Sequence, residues 1–166
     1  MIKAAILTVS DKSARGERAD TSGDLLAALA AQVPAEVAAR QVVADEKDEI
    51  VAALRNLARQ ADIVFTTGGT GIAERDVTPE ATREVIDREL PGFCELMRMK
   101  GYESTPRSIL SRAVAGVVGK TLIVNMPGSP AAVRECFEVI LPSLKHAVEI
   151  LHGTAGECGR TEDSPR

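Results

Sequence analysis

The chain has 166 residues, 45% of them apolar and 27% charged, with a net charge of −4. That length suits one domain with a real core, and the composition is that of an ordinary globular protein. No run of about eighteen apolar residues could span a membrane, and the scattered Lys and Arg form no basic patch for nucleic acid.

Ile2 to Val9 is a continuous apolar run, as in a strand buried on both faces. Only about six apolar residues precede Ser10-Asp11, too few for a signal-peptide core. Thr21-Ser22-Gly23-Asp24 resembles a capping box opening a helix. Leu25, Leu26, Leu29 and Val33 give that helix its apolar face, and Pro34 stops it. Glu36 to Val43 is a weaker strand. Asp45 could cap the next helix, in which Ile50, Leu54, Leu57 and Ala61 recur at helical spacing. Ile63 to Thr66 is a third strand, running into Thr67-Gly68-Gly69-Thr70-Gly71.

A helix is predicted from Pro79 to Leu90, broken by Pro91-Gly92, and a short one from Phe93 to Lys100. Thr105-Pro106 opens another, ending near Arg112. Val114 to Val118 and Thr121 to Asn125 read as strands joined by a hairpin at Gly119-Lys120. Met126 to Pro130 leads into a long helix striped by Val133, Phe137, Ile140, Leu144, Val148 and Leu151, which Pro142 should kink or divide. From Gly153 the chain turns polar and reads as a flexible tail, 154–166, after a domain spanning 1–153. Strand and helix alternate in the first half, which predicts a mainly parallel α/β sheet covered on both faces, with one antiparallel strand from the hairpin.

In such a sheet, ligands bind beyond the carboxyl ends of the strands. Three sharp loops follow strands there: Ser10-Asp11, Gly68 to Gly71, and Pro127-Gly128-Ser129. Glycines at 68, 69 and 71 let the backbone approach a ligand, with exposed N–H groups forming an anion nest. Thr78-Pro79 and Ser129-Pro130 each look like a capped helix start, aiming free N–H groups at the same edge. Phosphate is the natural guest. GGTGIA lacks the spacing of a dinucleotide fingerprint, and Gly116 to Thr121 lacks the first glycine of a P-loop and sits between strands.

Asp45 and Asp76 should lie at this edge, and two carboxylates beside phosphates suggest Mg²⁺. Each also has a plain structural role open to it: Asp45 as a helix cap, Asp76 as a partner of Arg75. Arg75 itself could meet a phosphate or be a solvated charge. His146 and His152 are far from the loops, so no histidine-based covalent mechanism suggests itself. Cys94, Cys136 and Cys158 are widely spaced, which argues against a disulfide framework or zinc site and points to a reducing, cytoplasmic setting.

TTGGTG followed by RDVTPEAT, then LPGF, SILSRAVAG and NMPGSP before the last helix, resembles the molybdenum cofactor biosynthesis family. LTVSDK and DTSG match as well, so the resemblance runs from Ile2 to Gly153. The nearest branch is the molybdopterin adenylyltransferases, called Mog; a sister branch, MoaB, has a similar loop. The resemblance implies a three-layer αβα fold, commonly a homotrimer. It also implies transfer of AMP from ATP to molybdopterin with release of pyrophosphate, dependent on Mg²⁺, and a later hand-off to a molybdate-inserting protein. It places Asp45 and Asp76 in catalysis and metal binding. The segments Ser10-Asp11, Thr67 to Gly71, and Asn125 with Pro127 to Ser129 would bind the substrates.

Overall fold

The computed structural model describes residues 1–155. A six-stranded sheet has the order β2-β1-β3-β6-β5-β4. Its strands are β1 (Ile2–Val9), β2 (Ala35–Val43), β3 (Ile63–Thr67), β4 (Arg88–Glu89), β5 (Ala115–Val118) and β6 (Thr121–Met126). β2, β1, β3 and β6 run parallel, while β5 runs against both its neighbours. One antiparallel strand in a mainly parallel sheet is the predicted arrangement.

Alternation along each strand builds two cores. Ala4, Ile6, Ile63, Phe65, Leu122 and Val124 face one way. They pack against α2 (Thr21–Ala30), α5 (Pro91–Ser104) and α6 (Pro130–His152). Ala5, Leu7, Val9, Val64 and Ile123 face the other way, onto α3 (Lys47–Leu57) and α4 (Thr78–Val85). This is the three-layer αβα fold. Burial of both sheet faces explains why β1 and β3 read as unbroken apolar runs.

Several boundaries differ from the sequence reading. α4 ends at Val85 rather than Leu90, because Ile86 is extended and Arg88–Glu89 pair with β5. Gly116 permits this: a Cβ there would lie 2.5 Å from Ile86 Cδ1 and 2.6 Å from the Arg88 carbonyl. Pro91 starts α5 rather than breaking a helix, since its missing N–H is unneeded in a first turn. α2 is capped by Asp20, whose Oδ1 accepts the Gly23 N–H at 2.9 Å, with Thr21 already helical. Pro106–Leu110 forms a single 3-10 turn.

α6 continues past Pro142 to His152 as one element; buried Ile140 and Leu144 on either side keep it on the sheet. Gly153 then closes it in the left-handed conformation. Of the expected flexible tail, Thr154 and Ala155 donate their N–H groups to the Glu149 carbonyl. The remainder, with Cys158, lies outside the described residues.

Candidate functional site

The parallel strands all end at one edge, and β1, β3 and β6 are in register there: Thr8 lies beside Thr67, and Thr67 beside Met126. The three loops therefore meet. Gly68 has a φ of 97°, and a Cβ on it would lie 2.2 Å from the Val9 carbonyl oxygen. A Cβ on Gly128 would touch the Gly68 Cα at 3.5 Å. Gly68 admits no side chain at this junction, while Gly128 sits against it at ordinary contact distance. Thr67 Oγ1 donates to the Pro127 carbonyl at 2.7 Å, and Ser22 Oγ to the Gly128 carbonyl at 2.7 Å. These bonds tie the β6 loop to β3 and to α2.

Past Gly68 the chain turns through Gly69 (φ 65°). Thr78 holds this turn from α4: its hydroxyl donates to the Gly68 carbonyl at 2.9 Å and its N–H to the Gly69 carbonyl at 3.1 Å. Thr78 is thus not the helix cap; Val77 holds that position without a side-chain bond. Ser129 does cap α6, accepting the Ala132 N–H at 3.3 Å. Among the described residues, no acceptor takes the N–H groups of Gly69, Thr70, Gly71 or Ile72. Open donors on a tight, fixed loop are what a phosphate requires.

Ser10 caps α1 (Asp11–Ala14), a four-residue helix not visible in the sequence pattern. That helix presents the Asp11 N–H to Asp45 Oδ2 at 2.8 Å, while the Asp45 N–H donates to Asp11 Oδ1 at 2.9 Å. Arg75 closes over the pair. Its Nε meets Asp11 Oδ2 at 2.7 Å, and its Nη2 meets Asp11 Oδ1 at 3.0 Å and Glu46 Oε1 at 2.9 Å. Arg75 is therefore engaged by carboxylates, and its partner is Asp11 rather than Asp76. Asp45 does not cap α3, where Glu46 occupies the cap position.

The two aspartates of this pair differ electrostatically. The Arg75 hydrogen bond holds the Asp11 carboxyl below the ordinary carboxylate value. Burial pushes Asp45 up, with the nearby charges of Asp11 and Asp76 adding to the rise. Asp76 accepts the Ala73 N–H at 2.9 Å through Oδ2, which lies 2.8 Å from where a Gly71 Cβ would be. Oδ1 of Asp45 and Oδ1 of Asp76 accept no hydrogen bond among the described residues.

Two cavities adjoin across Gly68, Gly69 and Gly128. One, of about 490 Å³, is lined by Gly69 to Ile72, Asp76 and Pro127, and walled by apolar Met97, Leu110 and Ala132. The other, of about 450 Å³, is polar, with Ser10, Asp20, Asp45, Thr67 and Ser129. Gly128 lines both. Asp45 and Asp76 thus look into neighbouring cavities from either side of the glycine loop. No cluster of three or more metal-type side chains exists among the described residues. A pair of carboxylates with one free oxygen each still suits Mg²⁺, which takes one or two carboxylates and fills its octahedron with water and phosphate oxygens.

Of the residues expected at the site, Ser10, Asp45, Thr67 to Gly71, Asp76, Pro127, Gly128 and Ser129 line these cavities, while Asp11 lines neither and touches the site only through Asp45. Asn125 lines neither cavity. It is fully buried, donating to Thr66 Oγ1 at 3.0 Å and Thr82 Oγ1 at 2.9 Å and accepting the Val114 N–H at 3.1 Å. It braces the floor of the site. Sequence reasoning gave no role to Arg112, which reaches the glycine loop from a distant segment, or to Asp20, which accepts the Thr8 hydroxyl at 2.7 Å. Both stand in motifs that carry the family resemblance, SILSRAVAG and DTSG, and those motifs are the signal that could have found them. Burial raises the thiols of Cys94 and of half-buried Cys136 to about 12 and about 11, and both line the first cavity.

A three-layer αβα sheet with glycine loops around two cavities at its carboxyl edge defines an α/β domain with a candidate ligand site at that edge. The chain belongs to the family described as "Probable molybdopterin binding domain", which matches residues 5–146. It is 41% identical over 157 residues to the molybdopterin adenylyltransferase of Helicobacter pylori, covering 92% of this chain and 89% of that protein. It is 41% identical to molybdenum cofactor biosynthesis protein B of Staphylococcus carnosus, covering 90% of this chain and 91% of that one. The crystal structure of the molybdopterin biosynthesis enzyme MoaB from Thermus thermophilus superposes with a TM-score of 0.87 at 52% identity, over 92% of this chain and 98% of that one. No helix among the described residues is long and apolar enough to cross a membrane.

Proposed function

We propose that this protein is a molybdopterin adenylyltransferase of molybdenum cofactor biosynthesis, moving AMP from ATP to molybdopterin. The observation that carries this reading is the pair of cavities meeting at one glycine loop, with an aspartate beside each. Two substrates bound on either side would bring their phosphates together over Gly68 to Gly71. The 41% identity to an enzyme of that name supports the chemistry.

In the reaction, an oxygen of the molybdopterin phosphate attacks the α-phosphorus of ATP. The bond from that phosphorus to the bridging oxygen breaks, and pyrophosphate leaves with the electron pair. The open N–H groups of residues 69–72 hold the anionic oxygens, and the helix starts at Thr78 and Ser129 add partial positive charge. Asp45 and Asp76 would hold Mg²⁺, which supplies charge neutralisation on the phosphates when bound. The chain's own contribution is positioning.

The 52% identity to a structure named as the molybdopterin biosynthesis enzyme MoaB, a name that does not specify adenylyl transfer, leaves a second reading, a molybdopterin-binding protein without adenylylation. Incubation with molybdopterin, ATP and Mg²⁺ separates the two: the first yields adenylylated pterin and pyrophosphate, the second returns the pterin unchanged. A homotrimer is part of the proposal, supported by exposed apolar residues on and after α5, among them Met99, Tyr102 and Ile109. So is passage of the product to a molybdate-inserting partner in the cytoplasm.

A further inference from the structure

Arg112 lies outside every segment so far given a role, yet it makes two bonds to the glycine loop, as many as Thr78 does. Its backbone N–H donates to the Thr70 carbonyl at 2.8 Å, its Nε to the Gly71 carbonyl at 2.7 Å, and its Nη2 to the Asp76 carbonyl at 2.6 Å. Glu80, in the first turn of α4, pairs with the guanidinium from the other side and is itself held below the ordinary carboxylate value by it. The segment bearing Arg112 is fixed in turn by Arg98 of α5, whose Nη1 donates to the carbonyls of Ser111 and Ala113, both at 3.3 Å. Ser108 Oγ donates to the Arg98 carbonyl at 2.7 Å.

A trans peptide aims its C=O and the next N–H in opposite directions. Fixing the carbonyls of Thr70 and Gly71 on the Arg112 side therefore turns the N–H groups of Gly71 and Ile72 away from it. Those two N–H groups have no acceptor within the described residues. We infer that Arg112, oriented by Glu80, is a positioning residue that holds the glycine loop with its amide donors turned out to receive the substrate phosphates. Its charge is neutralised by Glu80, so its role is its planar fork rather than attraction of the anion. A lysine ammonium cannot span two carbonyls and a carboxylate in that plane.

This inference rests on the phosphate-binding reading of the loop, and its test has a readout independent of turnover. Pyrophosphate affinity is measured by calorimetry, and amide exchange of residues 69–72 by mass spectrometry. The proteins are the wild type, Arg112→Lys, Arg112→Ala with and without added guanidinium, and Glu80→Gln, which keeps the fold if the arginine variants do not. We expect about tenfold or greater loss of pyrophosphate affinity in both arginine variants, the scale of one charged hydrogen bond. Loop amides should exchange faster, with recovery on adding guanidinium to Arg112→Ala. Glu80→Gln should show the same changes in smaller degree. Full affinity in Arg112→Lys would mean that charge alone matters, and unchanged affinity and exchange in Arg112→Ala or Glu80→Gln would overturn the inference. Absence of adenylylation in a wild type that binds pyrophosphate would defeat the proposed reaction and leave this positioning role standing.

Discussion

Asp11 and Asp45 fasten each other: each donates its backbone N–H to the other's carboxylate, at 2.8 and 2.9 Å. The residues are 34 positions apart, and this exchange joins the loop after β1 to the loop after β2. It leaves Asp45 Oδ1 free on the glycine-loop side, 3.4 Å from where a Gly69 Cβ would be. Asp11 is thereby a positioning residue for Asp45, and Arg75 one for Asp11.

Asp11→Ala removes the acceptor for the Asp45 N–H and both Arg75 contacts. Adenylylation should fall by about tenfold or more, the cost of a displaced catalytic group, while the melting temperature changes little because the cluster is on the surface. Steady-state kinetics beside thermal unfolding check this. An unchanged kcat would remove Asp11 from the account.

Asp45→Asn separates stability from function. Burial raises the Asp45 carboxyl, so the folded protein binds this proton more tightly than the unfolded chain does. Below the unfolded value both states are protonated and the group adds nothing. As pH rises through the raised value, the ionised side chain costs stability. The variant should therefore be as stable as wild type in acid and equal or better near neutrality, with turnover lost. Thermal melts from about pH 4 to pH 8, a span bracketing the carboxylate range, test the sign. A variant that loses stability relative to wild type as pH rises would contradict it.

Asp76→Ala should abolish turnover with molybdopterin binding largely kept, since among the described residues the carboxylate's one hydrogen bond is to the Ala73 N–H. Wild-type turnover by this variant would remove Asp76 from the mechanism. Titration of the pterin gives the binding half of the test.

Gly68→Ala and Gly128→Ala should part company. A methyl at Gly68 is strained by its φ of 97° and lies 2.2 Å from a backbone carbonyl oxygen, so a loss of about 2 kcal/mol or more is expected. At Gly128 the methyl meets one atom at ordinary contact distance, and stability should stay within about 0.5 kcal/mol. Ligand affinity should still fall there, because Gly128 lines both cavities. Chemical denaturation and ligand titration decide both halves.

The layers, the single reversed strand and the meeting of three loops were legible in the sequence because apolar period and glycine position are local signals. Ile86 was not: it carries a helical pattern, and it leaves the helix only because Gly116, far along the chain, lets a strand lie beside it. Thr78 and Thr21 were read as caps from local type alone, whereas the bonds they make or yield depend on Gly68 and Asp20. Asn125 looked like part of a binding loop, but its side chain turns inward to Thr66 and Thr82 across the sheet. The motif SILSRAVAG marks Arg112 but not what it touches; its bonds to the glycine loop and the Asp11–Asp45 exchange are products of tertiary approach.

The central claim concerns where phosphates sit, and a crystal structure with a non-hydrolysable ATP analogue and Mg²⁺ tests it most directly. The account predicts phosphate oxygens within hydrogen-bond reach of the N–H groups of residues 69–72, with the cation between them and Asp45 or Asp76. Triphosphate bound away from the carboxyl edge of β1, β3 and β6, with those N–H groups left to water, would contradict it.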